Sequence, residues 1–263
     1  MKKTKKLSLP AVLFLIAVCG TAFSQQLKGR DIAVLVDDRP NGNDRTMDMV
    51  MTLINRSGKT RVREMVSYSK DYGKDTKTLF FFREPADVKG VGFLTWDYNN
   101  ASRDDDKWLY LPALRKEKRI SGSSKNDSFM GSDLTYDDMG RRAVDEDTHT
   151  LIGEENYEGH PCWVIESVPE DKDYIYSKVI SRVRKDALLK VKGEFYDRQG
   201  KLLKISKVTD VRQHSGFWVS FRTEVENVQD RHKTVFEMKN VNFDKGLGDS
   251  FFQVSTLKRG TLR

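Results

Sequence analysis

The chain has 263 residues, room for one large domain or two small ones. Hydrophobic residues make up 38%, charged residues 32% and aromatics 10%, which excludes a disordered acidic tail, a collagen-like fibre and a polytopic membrane protein. The formal charge of +7 loses four units when Lys2, Lys3, Lys5 and Lys6 are set aside, and the remaining +3 is no nucleic-acid footprint.

Residues 1–24 read as a cleaved signal peptide. MKKTKK is a basic leader, Leu7 to Phe23 is mostly apolar, and Ala22-Phe23-Ser24 places small residues where signal peptidase requires them. The apolar run contains Pro10 and Gly20 and has no stop-transfer cluster after it, against a retained anchor. Cys19 follows Val18 where a lipid-attachment site requires a small residue, so a lipid-anchored form is not expected. The exported chain from Gln25 keeps one cysteine, Cys162, too few for an internal disulfide. Its place at the head of the apolar run Pro161 to Ile165 marks a buried structural thiol.

Apolar residues at Leu27, Ile32, Leu35 and Val36 predict an amphipathic helix over 27–38, ended by the turn residues Arg39-Pro40-Asn41-Gly42-Asn43. The period then changes to two. Met47, Met49, Met51 and Leu53 alternate with Asp48, Val50, Thr52 and Ile54, and further strands are expected over 60–69, 76–83, 91–98, 107–111 and 116–121. The second half repeats the pattern over 148–155, 161–168, 174–184, 188–196, 202–213, 218–228 and 233–243, with Asp197-Arg198-Gln199-Gly200 as a hairpin turn. Short helices are expected at Pro85–Lys89 and Asp133–Met139, the latter capped by Ser132 or Asp133. No linker or repeat divides residues 25–263, so about a dozen strands form one wide antiparallel sheet in a mainly β (α+β) fold. Such a sheet curls toward an incomplete barrel, because a sheet this wide seldom stays flat.

Enzyme chemistry finds little footing. There is no Walker loop, HExxH, CxxC or GxSxG, and Gly90-Val91-Gly92 lacks the third glycine of a dinucleotide fingerprint. The four histidines have no metal-ligand spacing, and the acidic runs Asp104–Asp106 and Asp145–Asp147 lack the pattern of an EF-hand loop. No catalytic residue, cofactor or metal is assigned.

The segment Lys107 to Ser121 stands out, with large apolar groups beside the cations Arg115, Lys116, Lys118 and Arg119, followed by Phe129-Met130-Gly131-Ser132-Asp133-Leu134-Thr135-Tyr136. Residue by residue it reads as a buried strand pair and a surface loop. As a whole it resembles the exported bacterial family of outer-membrane lipoprotein-sorting proteins, the LolA-like group often associated with RND-type (MMPL-like) exporters. The resemblance extends through Asp38–Gly42, Met51–Asn55, Phe93–Tyr98 and Tyr196–Lys201. It implies a half-barrel whose concave face, covered by short helices, holds acyl chains, and a non-enzymatic periplasmic carrier with transient membrane contact. It also marks Phe129, Gly131, Ser132, Asp133 and Tyr136 as the signature loop.

An acyl chain of about 14 methylenes, at about 0.8 kcal/mol each, costs on the order of 10 kcal/mol to expose, so a carrier needs a deep apolar lining. Met47, Met49, Met51 and Leu53, with Met65 on the next strand, form a soft stripe suited to varied chains, although the same spacing serves an ordinary core. Phe80 and Phe82, Leu94 and Trp96, and Trp108 and Tyr110 pair on one face within their strands, and alternation does not say which face that is. The expectation is that these eleven residues line the cavity, while Arg115, Lys116 and Arg119 meet an anionic head group or an acidic partner. The rival expectation is an exporter's adaptor that carries no lipid, whose interior would be filled.

Overall fold

The computed structural model describes residues 27–259, so the signal-peptide assignment lies outside the described residues. A helix α1 (Gly29–Asp37) is followed by six strands: β1 (Asp44–Ile54), β2 (Thr60–Tyr72), β3 (Asp75–Glu84), β4 (Gly92–Asp97), β5 (Asp106–Leu111) and β6 (Lys116–Ile120). A stretch of turns and short 3-10 segments leads into seven more: β7 (Asp147–Tyr157), β8 (His160–Pro169), β9 (Tyr176–Arg184), β10 (Leu189–Asp197), β11 (Leu202–His214), β12 (Phe217–Asn227) and β13 (His232–Phe243). A short helix α2 (Val254–Leu257) comes last. Each meander pairs neighbour to neighbour, and β1 pairs with β13 to join them into one 13-stranded antiparallel sheet. Its free edges are β6 and β7, so the barrel is incomplete.

Curvature follows from two contacts made by one loop. The Tyr136 ring lies 5.5 Å from the Phe93 ring on β4, and two residues later the Asp138 carboxylate accepts a 2.9 Å hydrogen bond from the Tyr176 hydroxyl on β9. Those strands are eight steps apart in the sheet. Flat, that separation is about 38 Å at roughly 4.8 Å per step, beyond the reach of neighbouring side chains. The sheet therefore wraps around residues 127–143, which occupy its concave side.

Three apolar clusters hold the layers together. The inner one joins the Met stripe of β1 with Met65, Phe80, Phe82, Phe93, Leu109, Phe221 and Phe236, and receives Phe129 and Tyr136 from the loop. A second lies under α1, where Ile32 meets Ile165 and Val183 on the same concave side. Gly29 permits that approach, since a Cβ there would stand 2.6 Å from the β7 backbone. The third is on the convex side, where Phe252 and Leu257 cover Val66, Leu79, Phe81 and Leu94.

Two expected helices are absent. Residues 85–90 form a tight turn between β3 and β4, because so few residues between paired strands cannot meet the cost of helix nucleation. Residues 133–139 also form turns. The Thr135 N–H donates to Asp138 at 2.7 Å and the Asp138 N–H donates back to Thr135 Oγ1 at 3.0 Å, so Thr135 caps this turn in place of Ser132 or Asp133. Tertiary partners claim the other polar groups that a helix would need.

Candidate functional site

The loop is fastened by buried charge. Lys204 of β11 stands 2.7 Å from Asp138, with 4% and 10% of the two side chains exposed. Lys107 of β5 lies 2.7 Å from Asp105, 3.3 Å from Asp137 and 3.8 Å from Asp97. Burial lowers the Lys107 ammonium, but Asp137, Asp105 and Asp97 outweigh it and leave it above its ordinary value. Three carboxylates share one cation, and the deepest absorbs the excess. Burial raises Asp97, Lys107 pulls it back, Asp105 raises it again, and the carboxyl ends pushed up to about 7. Gly140 passes so near that a Cβ would come within 2.5 Å of the Asp97 carboxylate.

The signature loop serves as an interior plug. Phe129 is fully buried, its ring 5.4 to 6.3 Å from those of Phe80, Phe82, Phe93 and Tyr136. Gly131 supplies a positive φ of 75°. Ser132 Oγ bonds the Leu134 carbonyl, and its own carbonyl accepts from Ser128 Oγ at 2.6 Å. Asp133 accepts from Thr234 Oγ1 at 2.6 Å and lies 2.8 Å from His232 Nδ1, both on β13.

Beside the plug an inner cavity of about 310 Å³ opens along β1, with Met47, Met49, Phe80, Met139 and Met238 as the apolar part of its wall and Ser67, Ser69, Thr78 and Asp97 as the polar part. Asn41, Gly42, Asn43, Arg45, Asp71 and Arg141 form its polar mouth. A second hollow of about 430 Å³ shares Asn41, Gly42, Asn43, Asp71, Thr76 and Arg141, so the mouth is continuous with the surface. Burial raises Asp71 above the usual carboxylate range.

Of the sequence-derived lining residues, Met47, Met49, Met51, Leu53, Met65, Phe80 and Phe82 share the concave side, but only Met47, Met49 and Phe80 border the cavity, while Met51, Leu53, Met65 and Phe82 are buried in the packed core. Leu94, Trp96, Trp108 and Tyr110 are a correction. They lie on the convex side against the C-terminal segment, where Trp96 Nε1 donates to the Phe252 carbonyl at 2.9 Å. Both faces of β4 and β5 are apolar, so alternation could not choose between them. Arg115, Lys116 and Arg119 are exposed on and beside edge strand β6 and border neither hollow just described. Lys116 and Arg119 point to opposite faces, being three residues apart in a strand, and Arg119 is paired with Asp106.

Arg45, Arg141 and Met238 escaped the sequence reading. A signal for Arg45 existed, since it precedes Met47 and Met49 on the same strand face. Among the described residues no three His, Cys, Asp or Glu side chains gather as a metal site, and no helix is long and apolar enough to cross a membrane. Cys162 is buried, and that burial raises its thiol pKa.

A family model described as an uncharacterized protein matches residues 74–259. A DUF1329 family protein from Desulfovibrio piger is 38% identical over 87% of this chain and 97% of its own, with a TM-score of 0.84. An outer membrane lipoprotein-sorting protein domain from Vibrio parahaemolyticus is 32% identical over 88% of this chain and 98% of its own, with a TM-score of 0.83. The chain belongs to the DUF1329 family. A LolA superfamily protein from Nitrosomonas europaea, 18% identical with a TM-score of 0.70 over 88% of this chain and 100% of its own, shares the LolA-like fold. No curated protein matches the chain. On the concave side Phe129, Tyr136 and the Met stripe meet.

Proposed function

We propose that this protein is an exported, non-enzymatic carrier that takes an acyl chain of a lipid or lipoprotein into its half-barrel and passes it toward the outer membrane. The observation that carries the reading is the hollow on the concave side, walled by Met47, Met49 and Met238 and open at a polar mouth. Methionine is unbranched and polarizable, and it adapts to chains of different length. The similarity to a lipoprotein-sorting domain points the same way. About 310 Å³ is at the low end of ligand pockets, roughly 300–1,000 Å³, so a full acyl chain requires the Phe129 plug to yield. In this reading residues 1–24 are the signal peptide, residues 25–263 form the carrier domain in the periplasm, and an RND-type exporter is the membrane partner.

Native mass spectrometry with lipid extraction tests the proposal on protein purified without detergent from its periplasm. A stoichiometric lipid or acylated peptide is the expected result. Clean protein that also refuses added lipid would overturn it. That outcome belongs to the second reading, an exporter's adaptor that carries no lipid, which the filled packing of Phe129 against Phe80, Phe82 and Phe93 favours.

A further inference from the structure

At the mouth of the inner cavity most charged groups already have partners. The Asp44 carboxylate accepts from the backbone N–H groups of Lys245, Gly246 and Leu247 at 2.8 to 2.9 Å. Arg141 is held in a fork by Asp37 and donates to the Lys74 carbonyl. Asp97 accepts from Thr95 Oγ1 at 2.6 Å and faces Lys107. Asp71 accepts from Thr76 Oγ1 at 3.3 Å.

Arg45 differs. Among the described residues its Nε is buried with no hydrogen-bond partner, and the same is true of Arg39 Nε nearby. Arg39 at least donates through its Nη1 to the Trp218 carbonyl at 2.9 Å. Burial and then the neighbouring Arg39 lower the Arg45 guanidinium, while Asp71 acts in the opposite sense. Two cations brought together in a partly enclosed space cost the fold stability, and each would be more stable with an anion. Arg45 is also continuous with grease, because Met47 and Met49 follow it along the inner face of β1 and all three border the same hollow.

Resting on the carrier reading above, we propose that Arg45, seconded by Arg39, is an anion-binding site at the cavity mouth that receives the acidic head of a single-chain amphiphile. A guanidinium presents paired donors that match a carboxylate or phosphate, and the Met wall beyond it receives the first part of the chain. The small volume of the cavity selects one chain over two. This places head-group recognition inside the half-barrel.

The test is calorimetric titration of detergent-free protein with dodecyl phosphate, dodecanol and inorganic phosphate at one ionic strength. Dodecyl phosphate is expected to bind at least tenfold more tightly than dodecanol. Arg45→Met should abolish that preference and leave dodecanol binding unchanged, whereas Asp71→Asn, which removes the nearby carboxylate, should strengthen it. Should Arg45→Met fail to fold, Asp71→Asn still decides, since an unchanged preference there overturns the site. Equal binding of both amphiphiles overturns the anion site and leaves the carrier standing. Arg45-dependent binding of inorganic phosphate with neither amphiphile bound overturns the acyl half of the proposal and the carrier with it. No binding of any probe removes both.

Discussion

Lys204 on β11 and Asp138 in the inner loop meet at 2.7 Å with almost no exposure of either side chain. The pair ties the second meander to a loop whose aromatic rings belong to the first, so it clamps the curl of the sheet. Removing one member leaves the other buried and uncompensated, which costs about 3–5 kcal/mol. Lys204→Met should lose that amount in urea unfolding. The double variant Lys204→Met with Asp138→Leu should lose less than Lys204→Met alone, and an equal or larger loss would refute the clamp.

The contribution of Asp97 to stability should fall as pH rises from about 4 to about 7. The ordinary unfolded carboxyl titrates near about 4. Folded Asp97 keeps its proton up to about 7, so in that window the native state binds more protons than the unfolded one and is disfavoured by raising the pH. Asp97→Asn should show a flatter stability profile between pH 5 and 8 than the parent protein. Parallel profiles for the two proteins would show that Asp97 does not carry the effect.

Met49 and Met51 should separate by role. Met49 borders the cavity, so Met49→Trp fills space and should block amphiphile uptake with the melting temperature nearly unchanged. Met51 is fully buried away from it, and Met51→Trp should destabilise the protein by about 1–3 kcal/mol through overpacking. Thermal melts beside binding of a fluorescent fatty acid distinguish the two.

Phe129→Ala removes the plug. The lost ring should cost about 3–5 kcal/mol, as for other buried aromatics. If the plug limits capacity, the variant should also take up longer chains than the parent, read as bound-lipid mass in native spectra. Equal chain lengths in both proteins would place the acyl path elsewhere.

Strand number and position were legible because alternation and turn chemistry are local. Thirteen strand-like runs in the sequence correspond to the thirteen strands, and the helix expected over 27–38 is α1 at Gly29–Asp37. The Met stripe was equally visible, but its packing against Phe129 and Tyr136 was not. The misassigned face has one origin. Leu94, Trp96, Trp108 and Tyr110 look as apolar as their neighbours Phe93 and Leu109, and only the C-terminal segment carrying Phe252 and Leu257 makes their side the convex one.

By itself, then, the sequence determined which residues pair along each strand and which share a face, since a period of two is a property of a few consecutive residues. Tertiary structure alone decided which face is inner, how far the sheet curls, that residues 133–139 turn instead of coiling, and that Arg45 ends beside a hollow with its buried Nε lacking a hydrogen-bond partner among the described residues. Each of these depends on contacts between strands many steps apart, such as Tyr136 with Phe93 and Asp138 with Tyr176, and a local pattern holds no record of them.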